Sequence, residues 1–209
     1  MGRNAIELKA EGLAVERGGR RVIDGLDLSV GAGECVLVTG ANGAGKSTLL
    51  RAFAGLIAPA AGRVSLGART AHDGLQAYAS QLHFIGHLGG VKAALTVTEN
   101  VEAWRALLGG AAGDALAVFG LAPFANMPAA YLSAGLRRRL ALTRLVVAAR
   151  PAWLLDEPAA GLDAASRELL AGAIARHCAS GGLAVVTSHG ELTLPGARPL
   201  ALGPAAGHG

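Results

Sequence analysis

A glycine-rich segment carries residues suited to holding phosphate groups. It follows the apolar run 35–38 and reads Gly-Ala-Asn-Gly-Ala-Gly-Lys-Ser-Thr. A loop between a strand and a helix start presents backbone N–H groups to an anion, and the helix dipole adds to the attraction. Lys46 can reach the terminal phosphates of a nucleotide, and the Ser47 hydroxyl can ligate Mg²⁺. The segment predicts nucleotide binding through Gly40, Ala41, Asn42, Gly43, Ala44, Gly45, Lys46, Ser47 and Thr48.

Two adjacent acids follow a second apolar run. Residues 152–155 read Ala-Trp-Leu-Leu, and Asp156 and Glu157 come next, before Pro158. An aspartate at such a strand end suits the coordination of Mg²⁺ beside a phosphate loop. A glutamate next to it suits a base that activates the attacking water, a role worth ~10²–10⁴ in rate. Taken alone, the pair could be an acidic turn at a helix start. Behind a complete phosphate loop, it predicts nucleotide hydrolysis.

Two further polar residues stand at the ends of predicted elements. Ser133 precedes the helical pattern of residues 136–149, so its hydroxyl and the free N–H groups there could hold a phosphate. An ordinary helix N-cap is the alternative for this serine. His189 follows the strand-like run 183–187, downstream of the acids. A single histidine is usually structural, but its place at a core strand end makes it a candidate for the site.

The elements that must position these residues alternate between strands and helices. Strands are predicted over 6–8, 13–15, 21–23, 26–30, 34–39, 63–66, 83–85, 152–155, 183–186 and 200–202. Helices are predicted over 46–56, from an N-cap at Thr98 to the glycines at 109–110, and over 111–119, 136–149 and 164–178. The tail 203–209 is expected to fray. The pattern describes an α/β nucleotide-binding core with a helical insert between two of its strands.

Composition limits the alternatives. With 209 residues the chain is expected to form one domain, and no run reaches the ~18 apolar residues of a membrane helix. The N-terminus lacks the apolar centre of a signal peptide, so we expect a cytosolic protein that meets membranes only through a partner.

Charge and cysteine usage point to no nucleic-acid or metal site. The net charge of +4 is diffuse, and the cluster 137–139 is expected to be a solvated helix face. Cys35 and Cys178 lack a C-x-x-C spacing and are expected to be reduced, partly buried thiols.

The order of the motifs resembles that of the ATP-binding subunits of ABC transporters. Five segments of the chain carry the resemblance: 40–48, 132–136, 154–157, 161–163 and residue 189. It implies a P-loop NTPase fold: a RecA-like core, an N-terminal antiparallel β-subdomain and an inserted helical subdomain that carries the signature. One ABC ATP-binding domain would span 1–209, with 1–87 and 150–209 as core and β-subdomain, and 88–149 as the helical subdomain.

The resemblance also implies roles for individual residues. In such proteins two subunits sandwich two ATP molecules, each between the phosphate loop of one subunit and the signature of the other. Ser133 and Gly135 would then act in trans on the γ-phosphate, and Asp163 would link the two sites. His189 would contact the γ-phosphate and position the water. Lys46, Glu157 and His189 would be catalytic, and Ser47 and Asp156 would hold Mg²⁺.

Three positions depart from the family pattern. Leu136 replaces the glutamine of the signature, which is expected to weaken ribose-side contacts without abolishing hydrolysis. Arg17 stands where an aromatic residue usually stacks on adenine, and a guanidinium can also stack on a ring. His87 is the candidate for the glutamine that contacts Mg²⁺ and water, with a solvent-facing loop histidine as the equal alternative.

Residues 84–101 are similar to those of one branch of the family. The Phe-Ile-Gly-His-Leu-Gly-Gly-Val-Lys run and the later Leu-Thr-Val-Thr-Glu-Asn-Val resemble the haem-exporter ATPases of bacterial cytochrome c biogenesis. That resemblance implies an Mg-dependent ATPase on the cytoplasmic side of the bacterial inner membrane. It would be peripheral there, bound to integral-membrane permease subunits of the cytochrome c maturation system and to a second copy of itself. No nucleic-acid partner is expected.

Two alternatives remain open from the sequence. The chain could serve another small ABC exporter or importer, which a different permease partner would reveal. It could instead be a soluble ABC-type ATPase acting on nucleic acid, although such proteins usually have a long coiled-coil insert or two tandem ATPase halves.

Overall fold

The computed structural model describes residues 6–86, 89–110 and 114–203. The strands are β1 (Glu7–Arg17), β2 (Arg20–Gly31), β3 (Cys35–Thr39), β4 (Ala61–Leu66), β5 (Arg69–Thr70), β6 (Leu82–Ile85), β7 (Ala152–Leu155), β8 (Leu183–Thr187) and β9 (Arg198–Ala201). The helices are α1 (Lys46–Phe53), α2 (Leu75–Ala79), α3 (Val97–Leu108), α4 (Ala115–Val118), α5 (Ala134–Leu142), α6 (Arg144–Val147) and α7 (Ala164–Ala179). Short 3₁₀ turns cover Ala122–Phe124 and Ala129–Tyr131.

An antiparallel sheet is built from the first half of the chain, in the order β2-β1-β4-β5. β1 and β2 form a hairpin in which Glu7 pairs with Gly31 and Arg17 with Arg20. Glycines at 18 and 19 both have positive φ, as the tight turn requires. The four short strands predicted over 6–30 are therefore two long strands with register shifts. Pairing along the hairpin carries each strand through the irregularities that break its hydrophobic alternation.

A parallel sheet in the order β6-β7-β8-β3-β9 forms the centre. β7 and β8 are buried at every position, which is typical of a sheet covered on both faces. Because the strands are parallel, the carboxyl ends of β3, β7 and β8 lie at one edge. The phosphate loop, the acid pair and His189 each follow one of these ends, so this edge is where a ligand would be expected.

Helices α3 to α6 lie between β6 and β7 in chain order, as the sequence predicted for the insert. The predicted start of α3 was wrong by two residues. Thr96, not Thr98, caps the helix in a capping box with Glu99, and the Thr98 hydroxyl donates to the Ala125 carbonyl at 3.0 Å. The division at 87/88 and 149/150 stays a prediction.

The predicted helix 136–149 was also wrong, because it is two helices. α5 begins two residues earlier and ends at Leu142; the C-cap residue Thr143 donates its hydroxyl to the Leu140 carbonyl at 2.7 Å. This local bond offers the backbone an alternative to a continuous helix. α2 was not predicted, because its five residues are too few for a helical period to show.

Two hydrophobic clusters form the interior. One joins the inserted helices to the strands, with Trp104 of α3 and Phe119 buried beside Leu155 of β7. The other joins α1 to the two sheets, around Phe53 and Tyr78. The core strands therefore fix the inserted helices and the phosphate-loop helix from opposite sides.

The two cysteines and the character of the helices complete the description of the fold. Cys35 and Cys178 are free thiols, as expected: Cys35 is half-buried, and Cys178 is buried and donates to the Glu34 carbonyl at 3.5 Å. The neighbouring Cys178 thiol and burial raise the pKa of Cys35. Of the helices the structure describes, none has the length and apolar character needed to cross a membrane.

Candidate functional site

The phosphate loop joins β3 to the N-terminus of α1. Gly45 caps the helix in the left-handed region, and within the described residues no side chain satisfies the helix N-terminus. The amide groups there suit an anion. A Cβ on Gly45 would lie 2.7 Å from a methyl carbon of Val22, and one on Gly40 would lie 2.6 Å from the carbonyl oxygen of Leu202. Both positions therefore require glycine.

Lys46 lies inside the loop that precedes it. Its side chain is buried, and Nζ donates to the carbonyl oxygens of Gly40 at 2.8 Å and Ala41 at 3.1 Å. Two backbone carbonyls therefore hold the ammonium group at the place where phosphate would bind. Phosphate oxygens bound in the loop would compete with these carbonyls for the ammonium protons.

Asp156 accepts hydrogen bonds from two hydroxyl groups. It is buried, and its Oδ1 accepts from Ser47 Oγ at 2.9 Å and from Thr187 Oγ1 at 3.0 Å. The backbone N–H of Asp156 donates to the Ile85 carbonyl at 2.8 Å, so the sheet holds the residue in place. Sequence reasoning missed Thr187; a polar residue ending the otherwise apolar β8 was the available signal.

The Ser47 and Asp156 oxygens are the donors that Mg²⁺ prefers. This ion usually takes one or two protein oxygens and fills its other positions with water and phosphate. Among the described residues no group of three or more histidines, cysteines and acids could bind a metal without such help. The pair therefore fits an ion that arrives with a nucleotide.

Glu157 is held in an unusual conformation. Its φ of 50° makes it the only non-glycine with positive φ in the described ranges. Such a conformation costs about 1–3 kcal/mol and persists only where the surroundings enforce it. The Glu157 N–H donates to Thr187 Oγ1 at 2.8 Å, and Oε1 lies 2.9 Å from Nε2 of His189. Strain of this kind at a charged residue in a cleft is typical of catalytic sites.

A cleft of about 540 Å³ is lined by Lys46, Ser47, Glu157 and His189, among others. It is large enough for the phosphates of a nucleotide and brings together residues from four separate parts of the chain. Its lining consists of Val22, Asn42, Gly43, Gly45, Lys46, Ser47, Thr48, Glu157, Ala160, His189 and Glu191. Glu191 was not predicted, because nothing in its sequence neighbourhood distinguishes it from a surface acid.

The signature residues lie outside this cleft. Ser133 caps α5, accepting from the Leu136 N–H at 3.2 Å, and Gly135 packs close to the carbonyl of Gly161. Asp163 caps α7 and accepts from the Ser166 N–H at 2.8 Å. The Ser166 side chain, and next to it the Ser166 N–H, lower the pKa of Asp163. Within one chain these residues do not complete the phosphate site.

One further predicted ligand residue, Arg17, does not line the cleft. Arg17 is exposed at the end of β1, opposite Arg20. His87 lies outside the described residues.

The basic cluster 137–139 is not a uniformly solvated face, so that expectation was wrong. Arg137 is exposed, but Arg138 and Arg139 are half-buried. Arg139 donates to the Phe119 carbonyl at 3.2 Å, and Arg138 binds four carbonyls beside the acid pair. No sequence pattern indicates these contacts, because an arginine that binds distant backbone looks the same as one that faces solvent.

Comparisons with known proteins agree with this geometry. The ABC transporter family model matches residues 23–160. A cytochrome c biogenesis ATP-binding export protein CcmA of Rhodopseudomonas palustris (strain BisB5) is 45% identical over 202 residues, covering 95% of this chain and 99% of the relative. A protein of the same description from Nitrobacter winogradskyi is 45% identical, covering 96% and 100%.

Solved structures show the same architecture. An ATP-binding subunit of an ABC transporter superposes with a TM-score of 0.79 at 25% identity, covering 87% of this chain and 79% of that one. A nucleotide-free ATP-binding cassette from an ABC transporter gives a TM-score of 0.76 at 20% identity, covering 88% and 82%. The second likeness concerns the fold alone.

Proposed function

Because this chain belongs to the ABC transporter family, we propose that it is the Mg-dependent ATPase that powers a membrane complex of cytochrome c biogenesis. Its place in the family makes it an ATP-binding subunit of an ATP-hydrolysing class. We further propose that the ATPase requires Mg²⁺, and we propose its catalytic residues, its membrane partner and its location in the cell.

One observation is the main support for the proposed ATP hydrolysis. Thr187 Oγ1 lies within hydrogen-bond distance of both Asp156 Oδ1 and the Glu157 N–H, while Asp156 also accepts from Ser47 of the phosphate loop. The phosphate loop, the metal-binding acid and the proposed base are therefore one connected network. An arrangement of this kind positions phosphate, metal and water together.

In the proposed mechanism the loop 40–48 holds the phosphates of ATP through backbone N–H groups and Lys46. Ser47 and Asp156 would hold Mg²⁺, which would supply positive charge beside the phosphates. Glu157 accepts a proton from the attacking water. His189, whose Nε2 already lies 2.9 Å from Glu157, holds the water and the γ-phosphate in line.

The second half of each site is proposed to come from a second copy of the chain. Ser133, Gly135 and Asp163 do not line the cleft of their own chain, and we propose that they contact the ATP of a neighbouring chain. Binding of two ATP molecules would close the dimer, and hydrolysis would open it. The helix N-terminus behind Ser133 suits a γ-phosphate.

The biological role is proposed from the relatives named above. Their printed names describe ATP-binding export proteins of cytochrome c biogenesis, and they align with this chain over nearly their whole length. We infer an integral-membrane permease of that system as partner, and a peripheral location on the cytoplasmic side of the inner membrane.

Co-purification of the tagged chain from detergent-solubilised membranes of its host tests the proposal. We expect cytochrome c maturation permease subunits, identified by mass spectrometry, and Mg-dependent ATP hydrolysis by the recovered complex. A Glu157→Gln chain should recover the same partners with at least ~10²-fold slower hydrolysis, because the base is lost while the shape is kept. Glu168→Gln, an exposed acid on α7, is the matched control.

Other outcomes would contradict separate parts of the proposal. A permease of another system would overturn the cytochrome c role and leave the ATPase intact. Unchanged turnover in the Glu157→Gln complex would overturn the catalytic assignment. Recovery of nucleic acid without any membrane protein would favour the soluble alternative.

A further inference from the structure

Arg138 makes a set of contacts that neither the family resemblance nor the proposed mechanism uses. It lies on α5, the helix that begins at Ser133, and its guanidinium group extends to the parallel sheet. Nε donates to the Pro158 carbonyl at 3.2 Å and Nη1 to the Gly86 carbonyl at 3.0 Å. Nη2 donates to the carbonyls of Asp156 at 3.1 Å and Glu157 at 2.7 Å.

Only an arginine can make this set of bonds. The planar guanidinium offers five N–H donors in a fixed fork, whereas a lysine offers a single flexible ammonium group. Burial lowers the pKa of Arg138, although the Asp156 and Glu157 charges oppose that effect. An arginine stays protonated in proteins nonetheless. The half-buried guanidinium therefore forms four hydrogen bonds to backbone carbonyls that no other side chain could form together.

The bonded carbonyls belong to the two segments that border the site. Three are consecutive and include that of Glu157, the residue held at positive φ. The fourth, that of Gly86, directly follows the end of β6. The Glu157 carbonyl also accepts from the Ala160 N–H at 3.2 Å, so Arg138 reinforces the turn that aims the Glu157 side chain.

We propose that Arg138 is a positioning residue that holds the backbone of Glu157 in its strained conformation and couples that conformation to α5. The proposal rests on the proposed function, in which Glu157 is the base. Because Ser133 caps the same helix, a rotation of α5 when Ser133 meets a partner's ATP would move the guanidinium and with it the Glu157 backbone. Hydrolysis would then depend on a correctly seated signature helix.

Steady-state ATPase kinetics on Arg138→Met, Arg138→Lys and wild type test this. We expect kcat of Arg138→Met to fall by about ten- to hundredfold, because misplacement of a catalytic group by about 1 Å has such an effect. KM for ATP should change by less than about twofold, because Arg138 contacts no residue of the phosphate loop. Arg138→Lys should recover part of kcat, since one ammonium can replace one or two of the four bonds.

Arg137→Met is the matched control, since Arg137 is the exposed neighbour on the same helix. It loses the same charge and should keep the wild-type kcat. Hydrogen exchange read by mass spectrometry supplies a measurement independent of turnover. In Arg138→Met the peptide covering 156–162 should exchange faster than in wild type, while peptides of β1 and β2 should not change.

The possible results separate the positioning role of Arg138 from the proposed ATPase function. A wild-type kcat in Arg138→Met, or unchanged exchange over 156–162, would overturn the positioning role. A parallel loss of kcat, ATP affinity and protection throughout the chain would also overturn it, because that would indicate general destabilisation. If wild type itself fails to hydrolyse ATP, the proposed function fails, and exchange over 156–162 still decides whether Arg138 holds the turn.

Discussion

Two histidines of this protein serve the fold rather than the site. His83 on β6 is buried, with Nε2 2.7 Å from the Ala148 carbonyl, and His177 stacks on Trp153 with ring centroids 3.9 Å apart. Burial lowers the pKa of both, to about 4 for His83, where the nearby Arg150 and Arg144 act in the same direction. His189 differs because it is half-exposed beside Glu157.

The depressed pKa of His83 makes stability depend on pH. Between its unfolded value near 6.5 and about 4 the unfolded chain binds the proton more readily, so stability is full above pH 6.5 and is lost as the pH falls towards 4. We expect a loss of about 2 kcal/mol from this residue between pH 7 and pH 5. Denaturant unfolding at both pH values should show that loss shrinking in His83→Gln but persisting in His72→Gln, an exposed control. Equal losses in both variants would contradict the prediction.

At the level of elements, the start of the inserted helices depends on one buried amide. Asn100 of α3 accepts from the Lys92 N–H at 2.8 Å and donates to the carbonyls of Lys92, Leu95 and Thr96 at 2.9–3.2 Å. It thereby closes the turn 92–96 that precedes α3. The sequence showed Asn100 only as part of a family-like run, and the structure supplies the physical reason for its presence.

Replacing Asn100 should weaken the inserted helices. Asn100→Ala leaves a buried N–H and several carbonyls without a partner, so we expect the free energy of unfolding to fall by about 2 kcal/mol. Leu107→Ala on the same helix removes a side chain that is 80% exposed and should change it by less than about 0.5 kcal/mol. Equal denaturation midpoints for wild type and Asn100→Ala would show that water replaces the lost bonds.

At the scale of the whole molecule, the residues proposed to bind ATP lie on separate surfaces of one chain. The cleft at the sheet edge contains Lys46 and Glu157, while Ser133 lies at the start of α5 outside it. Closed two-fold dimers bury the same patch on both partners, so two chains facing each other would form two complete sites. This geometry supports the dimer proposed above and suggests a direct test.

Mixed dimers should restore the activity that each variant lacks. Lys46→Ala removes the phosphate contact, and Ser133→Asp places a carboxylate against the phosphate while keeping a good helix cap. Each variant alone should hydrolyse ATP at least about tenfold more slowly than wild type. A mixed dimer keeps one intact site, so an equal mixture should reach at most about a quarter of wild-type activity. An inactive mixture would contradict sites shared between chains, and a fully active Ser133→Asp would remove Ser133 from the site.

The contiguous motifs were readable from the sequence alone. The loop 40–48, the acids at 156 and 157, and the strand–helix alternation are local patterns, and their chemistry follows from residue type and spacing. The fold class and the family followed from their order. Element boundaries were less accurate, because Thr96 and Thr143 act through single hydrogen bonds that leave little trace in hydrophobic periodicity.

Only the tertiary structure decided which distant groups meet. The bond from Ser47 to Asp156 spans 109 residues, and that from Arg138 to the Gly86 carbonyl spans 52. Thr187 reaches Asp156 because β7 and β8 pair in parallel register, and the positive φ of Glu157 is enforced by neighbours from two other elements. Backbone carbonyls are the same at every position, so no sequence pattern marks those that Arg138 binds. The sequence therefore determined which chemistry the residues can perform, and the packing of the sheet and α5 determined how they are held to perform it.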